Sequence, residues 1–377
     1  MQIALSSPAI RTNVRSWTAK LLTLCGILLI CVPWGVAQRH DHDADDAFLP
    51  SPVFSVSTVP PNGDQNPYGV VFIGKDFAGG LGPLKHGDIL VSNFNNSKNL
   101  QGTGTTIVRI PAAGGKATLF FHGKSGLGLS TALGTLRKGF IVVGNAPTTD
   151  GTAATAKPGS LLVINNKGNL IQTITNSNIQ YPWDMALVDE GNEAVAFITN
   201  ALTGTVSRLE FVVGTAGLTL TDSRTIASGY MHRPDPVALF VAPTGLVYEE
   251  HRDVLYVAST EDNEVFAVHD AANRHSDGGT GNVIYQDDTH LHGPLAMAMA
   301  PNGHLLVTNS DVINGDPKQP SEIVEFTKFG DFVKQLSVDP MQGGSFGLAV
   351  YPGEDITTLA AVDDNTASLM IWLLDQH

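Results

Sequence analysis

The chain has 377 residues, with 22 Lys+Arg, 36 Asp+Glu and a formal net charge of −14. A hydrophobic content of 42% suffices for a sizeable core and excludes wholesale disorder. The acidic balance, without any Lys/Arg cluster, excludes nucleic acid and anionic membrane surfaces as partners, and the length suits two domains or one repeat array.

Residues 1–20 carry Arg11, Arg15 and Lys20 and no acid, and an apolar run from Leu21 to Val32 follows. Gly35 and Ala37 then form a small-x-small site, so residues 1–37 are expected to be a signal peptide cleaved after Ala37. The expected location is outside the cytoplasm, periplasmic or extracellular. The apolar run falls short of the roughly 20 residues of a membrane span, so none is expected in the mature chain; an uncleaved anchor is the alternative. Ile30 before Cys31 departs from a lipoprotein signal. Both cysteines, Cys25 and Cys31, fall inside the signal. The mature protein is therefore expected to lack disulfides, Cys-ligated metals and a Cys nucleophile, and to rely on its core.

Residues 38–52 are expected to be an acidic, His-containing flexible tail. After cleavage, His40 would stand third, where a free amine, two amides and an imidazole chelate Cu(II) or Ni(II), unless Gln38 cyclises. Asp41, Asp43 and Asp45 have the spacing of a calcium loop, but the places needing Gly and Glu hold Asp46 and Pro52.

From residue 53 onward, short β-branched and aromatic runs alternate with Gly, Asn, Asp and Pro turns. An apolar strand ending in a small polar residue recurs about every 54 residues, ending at Asn93, Asn145, Asn200, Ser259, Asn309 and Asp363. Inner strands are expected ahead of this landmark, at Pro67 to Phe72, Pro182 to Leu187, Pro236 to Phe240 and Gly293 to Met297. Third and fourth strands follow it, with hairpin turns at Lys167-Gly168-Asn169 and Phe329-Gly330-Asp331. The expectation is an all-β, six-bladed β-propeller of four-stranded blades, one domain over 53–377. The last unit stops after its third strand, Leu369 to Leu374, so Val53 to Val59 at the N-terminus is expected to supply the fourth and close the ring.

The Pro-x-Gly-apolar inner strand, with Pro301-Asn302-Gly303-His304-Leu305-Leu306-Val307-Thr308-Asn309 and the strand and hairpin after it, resembles exported NHL-repeat propellers. It is also similar, more distantly, to the six-bladed group of regucalcin, gluconolactonase and paraoxonase, over roughly residues 53–374. The resemblance to regucalcin-like lactonases implies Ca²⁺ held in the channel by Glu, Asn and Asp, often by the Asn of a Pro-Asn-Gly that opens an inner strand. The corresponding places here are Tyr68, Trp183, Pro236, Pro294 and Phe346, and none is Asn. Pro301-Asn302-Gly303 falls after its inner strand, leaving Asp184 and Asp235 as the matching carboxylates.

In a propeller, the loops into the inner strands and those between second and third strands share one face. Three of the latter are long, Phe94 to Thr105, Ala146 to Gly159 and Ser310 to Pro320, which suits recognition. The candidate metal ligands on this face are Asp184, Asp235, His232, His290 and His292, for calcium or zinc. If His290-Leu291-His292 is extended, its two rings face one side. Tyr68, Trp183, Arg233 and Phe346 are candidate ligand-binding residues. The recurrent landmark Asn residues are expected to bond local backbone. No phosphate loop and no Gly-x-Ser-x-Gly elbow occurs.

Two functions remain. One is a monomeric binding propeller for a small molecule or an extracytoplasmic protein. The other is a calcium- or zinc-dependent hydrolase, lactonase-like, or a lyase. A channel plugged by Tyr68, Trp183 and Phe346 favours the first; imidazole and carboxylates converging within about 5 Å favour the second.

Overall fold

The computed structural model describes residues 47–50, 54–112 and 114–375, all within the unit His42–His377. The expected signal peptide and most of the expected tail, with His40, lie outside the described residues.

Strand β1 (Phe54–Ser57) precedes the first blade, β2 (Gln65–Phe72), β3 (Ile89–Asn95), β4 (Thr106–Ile110) and β5 (Thr118–His122). The second blade is β6 (Leu129–Leu136), β7 (Phe140–Asn145), β8 (Ser160–Asn165) and β9 (Leu170–Ile174). The third is β10 (Pro182–Asp189), β11 (Glu193–Asn200), β12 (Thr205–Val213) and β13 (Leu218–Ser228). A small hairpin, β14 (Arg233–Asp235) and β15 (Leu239–Val241), leads to the fourth: β16 (Pro243–Glu249), β17 (Val254–Ser259), β18 (Glu264–His269) and β19 (Asn282–Gln286). The fifth is β20 (Pro294–Met299), β21 (Leu305–Asn309), β22 (Glu322–Phe326) and β23 (Phe332–Ser337). The sixth, β24 (Ser345–Pro352), β25 (Ile356–Asp363) and β26 (Ser368–Asp375), is completed by β1. The fold is thus the six-bladed β-propeller expected. Among the described residues no helix is long and apolar enough to cross a membrane.

The landmark sets the register of every blade. Pro67, Leu129, Pro182, Pro243, Pro294 and Ser345 each stand at or near the start of an inner strand, opposite Asn93, Asn145, Asn200, Ser259, Asn309 and Asp363 respectively. A register shift follows that first pair in all six blades, so the strand bends where it meets the channel mouth. The landmark side chains bond nearby backbone, as Asn145 does in accepting from the Gly128 amide and Asn200 from the Gln180 amide.

Neighbouring blades are joined by apolar packing and by hydroxyls. In blades one, three and five the residue before the landmark is Ser92, Thr199 or Thr308. Each accepts a hydrogen bond from its own inner strand, at Gly69, Asp184 or Ala296 (2.9–3.0 Å). Each then donates to the next blade's inner strand, to the carbonyl of Ser130, Thr244 or Phe346 (2.7–2.9 Å). The ring closes through β1, where Phe54 to Ser57 pair antiparallel with Ile371 to Ser368, removing an edge that would otherwise be open.

One strand assignment from the sequence is corrected. Pro236 to Phe240 is not the inner strand of the fourth blade; that strand is β16. Asp235 Oδ1 accepts from the Val237 and Ala238 amides, turning the chain, and Leu239, which opens β15, has φ +66°, a left-handed backbone that ends the turn between β14 and β15. Pro243-Thr244-Gly245 is the true counterpart of Pro67-Tyr68-Gly69.

Within the expected tail, residues 47–50 are docked on the fifth blade rather than free. The Phe48 and Leu49 amides donate to Glu325, the Leu49 carbonyl accepts from Lys334, and Leu49 packs into that blade's core.

A cavity at the channel mouth and a buried His-Asp-Glu cluster

The residue after the one paired with the landmark is, blade by blade, Tyr68, Ser130, Trp183, Thr244, Leu295 or Phe346. Tyr68, Trp183, Leu295 and Phe346 line a cavity of about 400 Å³ at the mouth. The Tyr68 ring centroid lies 5.6 Å from that of Trp183 and 5.0 Å from that of Phe346. With Phe94 and Tyr181 these rings belong to one packed aromatic cluster. The cavity walls come from the first long loop (Asn99, Gln101), the third long loop (Ser310, Asp311) and the turn of the small hairpin (Val237, Ala238).

The cavity lining includes two acids, Asp311 and Asp364, and no Lys, Arg or His. Burial, reinforced by the neighbouring Asp363, pushes Asp364 up to about 7. Three buried polar atoms of the lining residues, Asn66 Oδ1, Asn95 Oδ1 and Trp183 Nε1, have no hydrogen-bond partner in the protein.

Further along the inner strands lies a second space of about 180 Å³, with Thr131 and Asp184 as the polar residues of its lining. Asp184 takes the Met185 amide at 2.8 Å and, across the blade boundary, the Leu246 amide at 3.0 Å. Burial pushes its carboxyl up to about 7, against the downward pull of these two amides. The sign of the consequence is fixed. Between about pH 4 and 7 the unfolded chain has released this proton and the folded chain retains it, so stability falls as pH rises. One such group contributes a slope of up to about 1.4 kcal/mol per pH unit. Asp184→Asn is expected to flatten the dependence by that amount, leaving the same-signed parts from Asp364, Asp311 and Asp363. Urea midpoints from pH 4 to 8 test this, and equal slopes for both proteins would remove Asp184 from the account.

The other candidates are dispersed. Arg233 is exposed and pairs with Asp235 (2.7 Å) and Glu261 (2.9 Å). The Asp235 carboxyl is held below its ordinary range: burial opposes this, but the Ala238 and Val237 amides and Arg233 outweigh it. His232 is exposed beside the Tyr230 carbonyl. His290 stacks on Phe332 at 3.7 Å and contacts Asp287, whereas His292 turns into the protein. His290, Leu291 and His292 are not a strand, so the two rings do not share a side.

The structure gathers a different group. His292 lies ahead of β20, Asp311 in the loop after β21, and Glu322 at the start of β22. Their ligand atoms all fall within 4.8 Å of one another, the one such group among the described residues. Glu322 beside it raises His292 against the effect of burial, and burial raises Asp311. Neither acid stood out in the sequence, although Glu322 occupies a third-strand start that holds Thr106, Ser160, Thr205 or Ser368 in four other blades.

These features define a six-bladed propeller with a ligand-sized cavity at its mouth and a metal-compatible cluster that shares Asp311 with the cavity's wall. No protein-family model matches the chain, and no curated protein matches it. Among solved structures it is similar to a calcium-binding protein, regucalcin, from Agrobacterium tumefaciens str. C58, with TM-score 0.50, 12% identity, and 86% and 96% of the two chains covered. It is also similar to virginiamycin B lyase from Staphylococcus aureus (TM-score 0.48, 13% identity, 85% and 87%) and to a candidate gluconolactonase (0.47, 13%, 85% and 99%). At these identities the likeness is one of fold, and it agrees with the distant resemblance to the regucalcin and gluconolactonase group.

Proposed function

We propose that this protein binds a small organic molecule in the mouth cavity. The observation that carries this is the cavity itself: about 400 Å³, floored by aromatic rings, with unpaired amide and indole groups among its lining residues. Two acids and no base in the lining favour a neutral or cationic ligand with a flat apolar part. The test is tryptophan fluorescence and thermal shift with arylalkylamines, which are cationic at neutral pH, their neutral amide analogues and the matching carboxylates. Amines and amides are expected to bind and carboxylates not. Amine affinity should rise as Asp364 ionises through about pH 7, and Asp364→Asn should abolish that rise. Equal binding of carboxylates, or an unchanged pH profile in the variant, rejects the reading.

Catalysis, as a metal-dependent hydrolase or lyase, is the second reading. It is favoured by Asp364 and Asp311 facing one cavity. The first is a proton-transfer group near neutrality, and the second is a member of the His-Asp-Glu cluster.

A further inference from the structure

We propose that His292, Asp311 and Glu322 form a binding site for one divalent first-row transition-metal ion of the zinc class. The inference goes beyond small-molecule binding at the mouth and stands without it.

Each residue presents one uncommitted atom. His292 and Glu322 are 2% and 1% exposed, yet His292 Nδ1, Glu322 Oε1 and Asp311 Oδ1 are all buried without a hydrogen-bond partner. His292 Nδ1 lies 3.3 Å from Glu322 Oε1 without hydrogen-bond alignment. Orphaned polar atoms are rare in a folded interior, and three of them on residues whose ligand atoms come within 4.8 Å of one another share one explanation in a bound ligand.

The remaining atoms are held in place. Asp311 Oδ2 accepts from the Ser321 and Gly343 amides at 2.9 and 2.8 Å. Glu322 Oε2 accepts from Asn309 Nδ2 at 3.2 Å, and Asn309 Oδ1 accepts from the His292 amide at 3.0 Å. Outer contacts of this kind orient metal ligands and leave one lone pair each for the ion.

The repeat supplies an independent argument. In the first three blades the landmark Asn donates to a hydroxyl at the third-strand start, Thr106, Ser160 or Thr205. In the fifth blade a carboxylate stands there; one oxygen takes the Asn309 bond and the second is left over, beside His292. One buried and one half-buried carboxylate with one imidazole carry excess negative charge, and no Lys or Arg pairs with either acid among the described residues. A divalent cation neutralises that charge.

The donor set selects the ion. Calcium wants six to eight oxygens, and an imidazole nitrogen with two carboxylates suits zinc and its neighbours better. Three protein ligands leave coordination positions open, and Asp311, which also lines the mouth cavity, places the ion beside that cavity.

The test is calorimetric titration of the chelator-stripped full chain with zinc chloride and, separately, calcium chloride, together with the visible spectrum of the cobalt(II)-loaded protein. One equivalent of zinc is expected, bound more tightly than calcium, with a ligand-field band from cobalt. Glu322→Gln and Asp311→Asn should each weaken zinc by at least about tenfold. A His40→Gln/His42→Gln double variant should leave it unchanged, separating the site from the N-terminal histidines. If Glu322→Gln does not fold, Asp311→Asn decides, because its amide oxygen still accepts from Ser321 and Gly343. Absence of zinc binding, calcium binding tighter than zinc, or wild-type zinc affinity in the foldable variants overturns the proposal.

Discussion

Gly347→Ala is expected to prevent proper closure of the propeller, with a loss of more than about 4 kcal/mol in the folded fraction that survives. A Cβ built on Gly347 meets the Tyr68 carbonyl oxygen at 1.6 Å and its carbonyl carbon at 2.8 Å. Both are backbone atoms of the neighbouring inner strand, so no rotamer change relieves the clash. The sixth and first blades would have to separate at the seam that β1 closes, beneath the Tyr68 ring that floors the cavity. The matched control is Gly74→Ala, where a Cβ meets nothing within 4 Å; that change should stay within about 0.5 kcal/mol of wild type. Thermal and urea unfolding of the pair decide the matter, and near-wild-type stability of Gly347→Ala would show that the inner strands are not locked at this distance.

Glu325→Ala is expected to cost about 2–5 kcal/mol, because it strands several buried hydrogen-bond donors at about 1–3 kcal/mol each. Glu325 is wholly buried and accepts from the Phe48 and Leu49 amides and from His304 Nδ1 at 2.7 Å. Its loss strands an imidazole and two amides and frees the segment that covers the outer face of the fifth blade. Besides the shift in urea midpoint, limited proteolysis should cut near residue 50 in the variant and not in the wild type. A loss below about 1 kcal/mol with an intact N-terminal segment would show that apolar packing of Leu49 alone holds it.

Much of the propeller was legible because a blade is a local object. The landmark strand, its turn and the hairpin after it follow from neighbours within about 54 residues, and six repetitions average out local ambiguity. The fourth blade defeated that reasoning because Pro236 to Phe240 carries the same Pro-then-apolar signature as a real inner strand. What sets it apart is the turn made by Asp235 and the left-handed backbone at Leu239. Export rests on residues 1–37 alone, which the described structure does not reach.

The site divides along the same line. Tyr68, Trp183 and Phe346 could be placed at the mouth from the repeat, because each follows the residue paired with the landmark. Asp184 also faces the channel, but its role as a tie to Leu246 depends on the next blade. His232, Asp235 and His290 share composition with a metal site and not its geometry. Asp311 and Glu322 join His292 only because two loops and a strand start of the fifth blade converge.

The sequence by itself therefore determined the strand period, the six-fold count and the closure by the N-terminal strand, since these follow from short-range patterning and turn chemistry. Only the tertiary structure decided which histidine meets which acid, and which insertion is hairpin rather than blade. Those outcomes depend on distances between segments that chain order does not fix, and on burial, which turns an ordinary Glu at a strand start into a candidate ligand.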